Sequence, residues 1–377
     1  MLTTMLHHPR KLWLRRALFQ VHLWVGVALA LYMVAISVSG ALLVFQDEIR
    51  LATLRHTPLD TAHVARVSTV VAETERRFPE RKLTFVSYPR EGSPWWTLYV
   101  EDARGRLDQV YADAATGRAL ETKGRLFIDW VLDLHVYLLA GQTGFIANCL
   151  MGMGLLVLAA TGAVLWWPGV KLWRRALGVG WRRGWRRVNF DLHNAIGIWT
   201  LGIVAWWGVT AVYFLLPQQV SALVNAVSPL KGMKPPVAAK AAEAGAAMEL
   251  EAVLAGVAAG PGTLSSVGLP EKPGGAVTAY VDRGTPGDFS HRDIVTLDGR
   301  TGRALAVWHY GENRSAGDWF LWLMHPLHFG TLWGLGVKVL WAGLGLGVAV
   351  LSGTGLLMYW NRKLRFVVAR LAEKPKA

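Results

Sequence analysis

Four stretches, 17–45, 145–167, 195–216 and 339–360, contain no Lys, Arg, Asp or Glu. Each is about as long as the roughly 20 apolar residues that carry a helix across a bilayer. Lipid offers the backbone no hydrogen-bond partners, so stretches of this kind are confined to helices. The expected class is therefore an α-helical membrane protein with four transmembrane helices. Arg10, Lys11, Arg15 and Arg16 precede the first stretch as in a secretory leader. Its apolar run far exceeds the 7–15 residues of a cleavable core, so an uncleaved anchor is expected.

The net charge of +14 is distributed by topology. The segments 1–18, 168–194 and 361–377 hold seventeen Lys/Arg against two acids, Asp191 and Glu373, whereas 46–144 and 217–338 are close to neutral. Positive residues stay on the cytoplasmic side. Both termini and the "WRRGWRR" run at 181–187 are thus expected in the cytoplasm of a bacterial inner-membrane protein, touching lipid headgroups, with the two long connections periplasmic. Neither connection carries the basic face that a nucleic-acid partner would need. The one cysteine, Cys149, lies inside an apolar stretch, so no disulfide framework and no C-x-x-C-H haem attachment is present.

The chain repeats itself. "VYADAATGRAL" (110–120) matches "VTLDGRTGRAL" (295–305), each reading as strand, D-x-x-T-G turn and new strand. Helix-compatible stretches at 61–78 and about 238–258 precede them. "FQVHLWVG" (19–26) matches "FDLHNAIG" (190–197) at an offset of 171, equating His22 with His193 and Gly26 with Gly197. At an offset of 193, His135 aligns with His328 and Thr161-Gly162 with Thr354-Gly355. The expected architecture is two tandem repeats, each adding a small α+β domain to its membrane helices. The boundaries are 1–45 for the N-terminus and first span, 46–126 for the first periplasmic domain, and 127–194 for a periplasmic helix, second span and basic loop. The third span is 195–216, the second periplasmic domain 217–318, and the last helix, fourth span and tail 319–377.

The topology places His22 and His193 near the cytoplasmic side and His135 and His328 near the other. If the halves pack around an axis along the membrane normal, equivalent histidines face each other. Two facing imidazoles in a helix bundle suit the axial positions of a haem iron, and two pairs imply two haems. Gly26 and Gly197, four residues after their histidines, leave room on the same helix face for a flat macrocycle. Zinc or copper is the weaker option, since no nearby Cys or carboxylate completes a ligand set. His325 aligns with Leu132 and has no counterpart. It orients substrate, replaces His328 as ligand, or sits at headgroup level. His7, His8, His56, His63, His291 and His309 are read as exposed loop residues. Trp166, Trp167, Trp173, Trp181 and Trp185 are read as an interface belt.

Four helices, F-x-x-H openings at 19–22 and 190–193, two D-x-x-T-G turns and T-G endings followed by Trp resemble the PepSY-associated transmembrane family over essentially the whole chain. The spacing is most similar to the family's bacterial inner-membrane ferric-siderophore reductases. That resemblance implies two b-type haems and periplasmic reduction of Fe(III) in a ferric siderophore, with release of Fe(II). No G-x-G-x-x-G or flavin motif is present, so a cytoplasmic electron donor or quinol is expected as a separate molecule. The alternative from another class is a haem-free membrane anchor acting as a sensor or peptidase inhibitor.

Overall fold

The computed structural model describes residues 13–54, 63–90, 93–103, 105, 107–120, 125–233, 235–284, 291–312, 315–332 and 334–372. It divides into two compact units, one of Met1–Phe45, Trp130–Val220 and Met324–Ala377, the other of Gln46–Asp129 and Ser221–Leu323.

Among the described residues the first unit holds four helices long and apolar enough to cross a membrane: α1 (Trp13–Leu43), α5 (Gly141–Trp166), α7 (Trp185–Leu215) and the helix Leu335–Val368, which opens with α11 (Leu335–Tyr359). The protein is a multi-pass helical membrane protein. Helix α11 runs on through a π-helical turn, Trp360–Leu364, into α12 (Arg365–Ala372). A short helix, α6 (Trp173–Ala176), lies between α5 and α7. Helix α1 packs on α5 and α11, and α7 packs on the same two, so α1 and α7 stand on a diagonal.

Helix α7 begins ten residues before the apolar stretch expected at 195–216. Its first turns are polar yet stay helical because their side chains are paired. Arg187 bridges Asp191 at 2.9 Å, and Asn189 Nδ2 donates to the Thr354 carbonyl at 3.0 Å. At the far end of α5 the Arg15 guanidinium donates to the carbonyls of Val164 and Trp167, each at 2.9 Å. A cation there satisfies orphan carbonyls and the negative end of the helix dipole.

The second unit is built on one seven-stranded sheet in the order β3-β2-β1-β4-β5-β6-β7. The strands are β1 (Lys82–Ser87), β2 (Trp95–Glu101), β3 (Leu107–Asp113), β4 (Thr263–Gly268), β5 (Val277–Asp282), β6 (Arg292–Leu297) and β7 (Ala304–Tyr310). Segments 46–126 and 217–318, expected as two separate domains, thus share a sheet. The joint is the antiparallel pairing of β1 with β4, Val86 opposite Val267 and Ser87 opposite Ser266. Helices α3 (Val67–Arg77) and α9 (Leu250–Ala258) cover one face, burying Val70, Val253 and Leu254 against Val86, Trp96, Leu98 and Val267. Each fully buried side chain of this kind contributes about 1.5–3 kcal/mol, so the joint carries part of a common core.

The helix expected over 238–258 forms only at Leu250–Ala258. The residues before it form neither helix nor strand, and amides among them are tied to the second half of the sheet and its turn: Ala239 N donates to Leu305 O, Ala242 N to Asp298 Oδ2 and Met248 N to Gly299 O. The two D-x-x-T-G turns close alike. Asp113 Oδ1 accepts the Thr116 amide at 2.8 Å and Asp298 Oδ1 the Arg300 amide at 2.8 Å, with Gly117 and Gly302 at φ 68° and 67°. After the first turn the return strand is a single bridge, Ala112 to Ala119, whereas after the second it is the full strand β7. Helix α2 (Gln46–Leu54) also belongs to this unit, while α4 (Phe127–Tyr137), α8 (Pro217–Val227) and α10 (Ala316–Phe329) each have residues in both units.

Inside the second unit Arg50 is buried against Asp129 at 3.2 Å, and the Tyr111 hydroxyl donates to the same carboxylate oxygen at 3.0 Å. Removing one partner of such a pair costs about 3–5 kcal/mol because a buried charge is left bare.

Candidate functional site: two imidazole pairs

Helix α1 carries His22 and, seventeen residues later, Ser39; helix α7 carries His193 and, seventeen later, Thr210. At 1.5 Å per residue the interval is about 25 Å, close to the roughly 30 Å hydrocarbon core. The diagonal placement of α1 and α7 brings the His22 and His193 rings to 6.4 Å between centroids, at 90°. At the other level His135, from α4, and His328, from α10, also stand 6.4 Å apart, at 64°.

Each ring is held through Nδ1. His22 Nδ1 lies 2.9 Å from the Thr161 hydroxyl, His193 Nδ1 3.1 Å from that of Thr354, His135 Nδ1 3.0 Å from that of Ser39, and His328 Nδ1 2.6 Å from that of Thr210. Every one of these hydroxyls donates its own proton to a carbonyl of its own helix: Thr161 to Val157, Thr354 to Leu351, Ser39 to Ile36, Thr210 to Trp207. A hydroxyl whose proton is committed can only accept. Nδ1 therefore carries the ring proton. His135 and His193 make the same point independently, since their Nδ1 atoms also donate to the Ile36 and Leu351 carbonyls, both at 3.1 Å. Among the described residues no hydrogen bond is made by the remaining nitrogen, Nε2, which then carries the ring's lone pair.

Burial holds His135 at a pKa of about 4 and His328 at about 3, so both are neutral, the form that ligates. Glycines let the rings approach the helices that anchor them. A Cβ on Gly162 or Gly355 would stand 3.3 Å from Cε1 of His22 or His193, and one on Gly40 only 2.9 Å from Cε1 of His135. At Gly26 and Gly197, expected to make room for a macrocycle, an added Cβ would stand 3.7 and 3.6 Å from Leu158 and Leu351 of the neighbouring helices.

The donor set suits one kind of metal centre. Among the described residues, no group of three or more His, Cys, Asp or Glu is placed to hold a metal ion. A tetrahedral site is therefore incomplete here. An iron already bound by four in-plane nitrogens needs two more ligands from opposite sides. With metal–imidazole bonds of about 2 Å and a nitrogen about 1 Å from its ring centre, two such ligands place their centroids about 6 Å apart. Both pairs meet that spacing.

His325 lies one turn before His328 on α10, among Tyr213, Phe214 and Phe329 at 5.9, 5.3 and 6.0 Å. Its Nδ1 is buried without a hydrogen-bond partner. Of the other histidines, His309 lies on β7 and pairs with Asp293 at 2.7 Å, and His291 stacks 5.6 Å from Trp322. His63 is exposed, and His7, His8 and His56 lie outside the described residues.

The family model for the PepSY-associated TM region matches residues 19–362, enclosing all five of these membrane-unit histidines. The chain belongs to that family. Among similar proteins is an uncharacterized protein of Pseudomonas aeruginosa PAO1, 29% identical over an alignment 276 positions long, which covers 65% of this chain and 66% of the relative's own length. In this PepSY-associated protein the hydroxyls of Ser39 and Thr210 are the site residues that sequence reasoning passed over. A signal for them exists, since they are separated by 171, the same offset as His22 and His193.

Proposed function

We propose that this protein is a di-haem reductase of the bacterial inner membrane, passing electrons from a cytoplasmic donor or quinol to Fe(III) held in a periplasmic ferric siderophore and releasing Fe(II). The observation that carries the reading is the set of four imidazoles in two pairs, the rings 6.4 Å apart in each, with Nδ1 protonated and Nε2 making no hydrogen bond among the described residues. His22 with His193 would hold one b-type haem and His135 with His328 the other. When bound, haem would supply an iron that gains or loses one electron.

The chain's own residues do the rest. Thr161, Thr354, Ser39 and Thr210 keep the proton on Nδ1 and fix the direction of each Nε2. The packed core of Met33, Ala159, Val204 and Val348 keeps the space within the bundle apolar. Two sites about 25 Å apart divide the bilayer between them. Each pair takes one histidine from each of two tandem repeats, whose first copy ends near 167–194 and whose second copy completes the periplasmic sheet. Ferric iron accepts one electron per ion; Fe(II) binds hard oxygen ligands less tightly and is released. His325, beside the second pair, is the residue assigned to contact the incoming chelate.

Purified protein from haem-supplied cells tests the reading. The expected result is a Soret band that shifts on dithionite and two haems per chain. A colourless preparation overturns it in favour of a haem-free anchor.

A further inference from the structure

The two imidazole pairs differ in what bears them. His22 and His193 belong to 31-residue membrane helices, whereas His135 and His328 sit in the last turns of the 11-residue α4 and the 14-residue α10. Helices that short are marginal alone, and their last carbonyls lack partners within the helix. At the end of α4 the partner is Asn148 of α5, whose Nδ2 donates to the carbonyls of His135 at 2.6 Å and Val136 at 3.1 Å. The Tyr32 hydroxyl, 2.7 Å from Asn148 Oδ1, donates to that oxygen and so turns the amide NH2 toward α4. At the end of α10 the indole Nε1 of Trp341 donates to the carbonyl of Leu327 at 2.7 Å. Positions 148 and 341 are 193 apart, the interval that also separates His135 from His328. Two unlike side chains perform one task at equivalent places.

We propose that Asn148 and Trp341 are positioning residues for the second imidazole pair. Each ties the peptide that carries, or directly precedes, a ligand histidine to the membrane helix that follows, and so sets the plane and direction of that ring. For the pair His22/His193, carried within continuous membrane helices, no side chain among the described residues donates to the carbonyl of the histidine or of the residue next to it. The inference rests on the di-haem reading and adds to it the residues that orient one site independently of the other.

The test uses full-length, haem-loaded protein. His22→Ala and His135→Ala assign each low-spin EPR signal and each midpoint potential to its pair. In Asn148→Leu and Trp341→Phe the second-pair signal is expected to shift or broaden and its midpoint to move, while the first-pair values stay at wild type. Tyr32→Phe should give a smaller change of the same kind, and Asn148→Gln, which keeps an amide donor, should retain more of the wild-type signal than Asn148→Leu. Wild-type signals for both pairs in Asn148→Leu and Trp341→Phe overturn the proposal, as does an equal movement of both pairs. A wild-type protein that binds no haem overturns the di-haem reading itself, whereas two haems with an unmoved second pair overturn this inference alone.

Discussion

The pair His22/His193 and the pair His135/His328 reach the same ring separation, 6.4 Å, by different routes. The first is a product of helix crossing: two long helices on a diagonal bring their histidines together, and the neighbouring helices anchor the rings. The second is assembled from short helix ends. Its surroundings are also lopsided, because His328 has Phe214 at 5.1 Å and Phe329 at 5.5 Å, with His325 one turn away. The spacing is thus common to both pairs while the supports differ. That difference predicts that the second site is the more easily perturbed.

The largest expected effect is ligand removal. His22→Ala or His193→Ala should abolish one haem and His135→Ala or His328→Ala the other, each leaving about half the pigment by haemochrome assay. A variant with full haem and unchanged low-spin spectra would break the assigned pairing. Next in size is the contrast in reactivity. Dithionite-reduced protein should be reoxidised by ferric siderophore with Fe(II) trapped by a ferrous chelator. His325→Ala should slow that step roughly tenfold, the cost of about one charge-assisted hydrogen bond, without loss of haem. Loss of haem in that variant would instead make His325 a ligand.

The smallest effect sharpens the comparison most. His193 keeps the Leu351 carbonyl if its hydroxyl partner is lost, whereas for His328 Thr210 is the Nδ1 partner observed. Thr210→Val should therefore weaken haem retention at the second pair by about 1 kcal/mol, roughly fivefold, and Thr354→Val should do less at the first. Haem loss during dilution, followed at the two signals separately, measures both. Equal losses would mean that the hydroxyls act alike and that the carbonyl adds nothing.

Much of this was legible in the sequence. Apolar length located the four spans to within a few residues except at α7, where Arg186, Arg187 and Asp191 ended the apolar count but not the helix. Backbone hydrogen bonding does not require apolar side chains, only that polar ones find partners. The histidines were visible because an imidazole stands out among Leu and Trp. Ser39 and Thr210 were not, since a hydroxyl inside a membrane helix ordinarily bonds its own helix and carries no further message. The pairing of β1 with β4 was hidden for another reason. Strand pairing between distant segments leaves no local periodicity, and each half reads as a complete small domain.

That pairing has a consequence for how the protein is made. Between β3 and β4 the chain runs through α5 and α7, two membrane crossings. During synthesis β1 must wait as an open edge with its hydrogen-bonding groups unpaired until both crossings are inserted and β4 emerges. A chain stalled before β4 is made would leave that edge of β1 open to pairing with other strands.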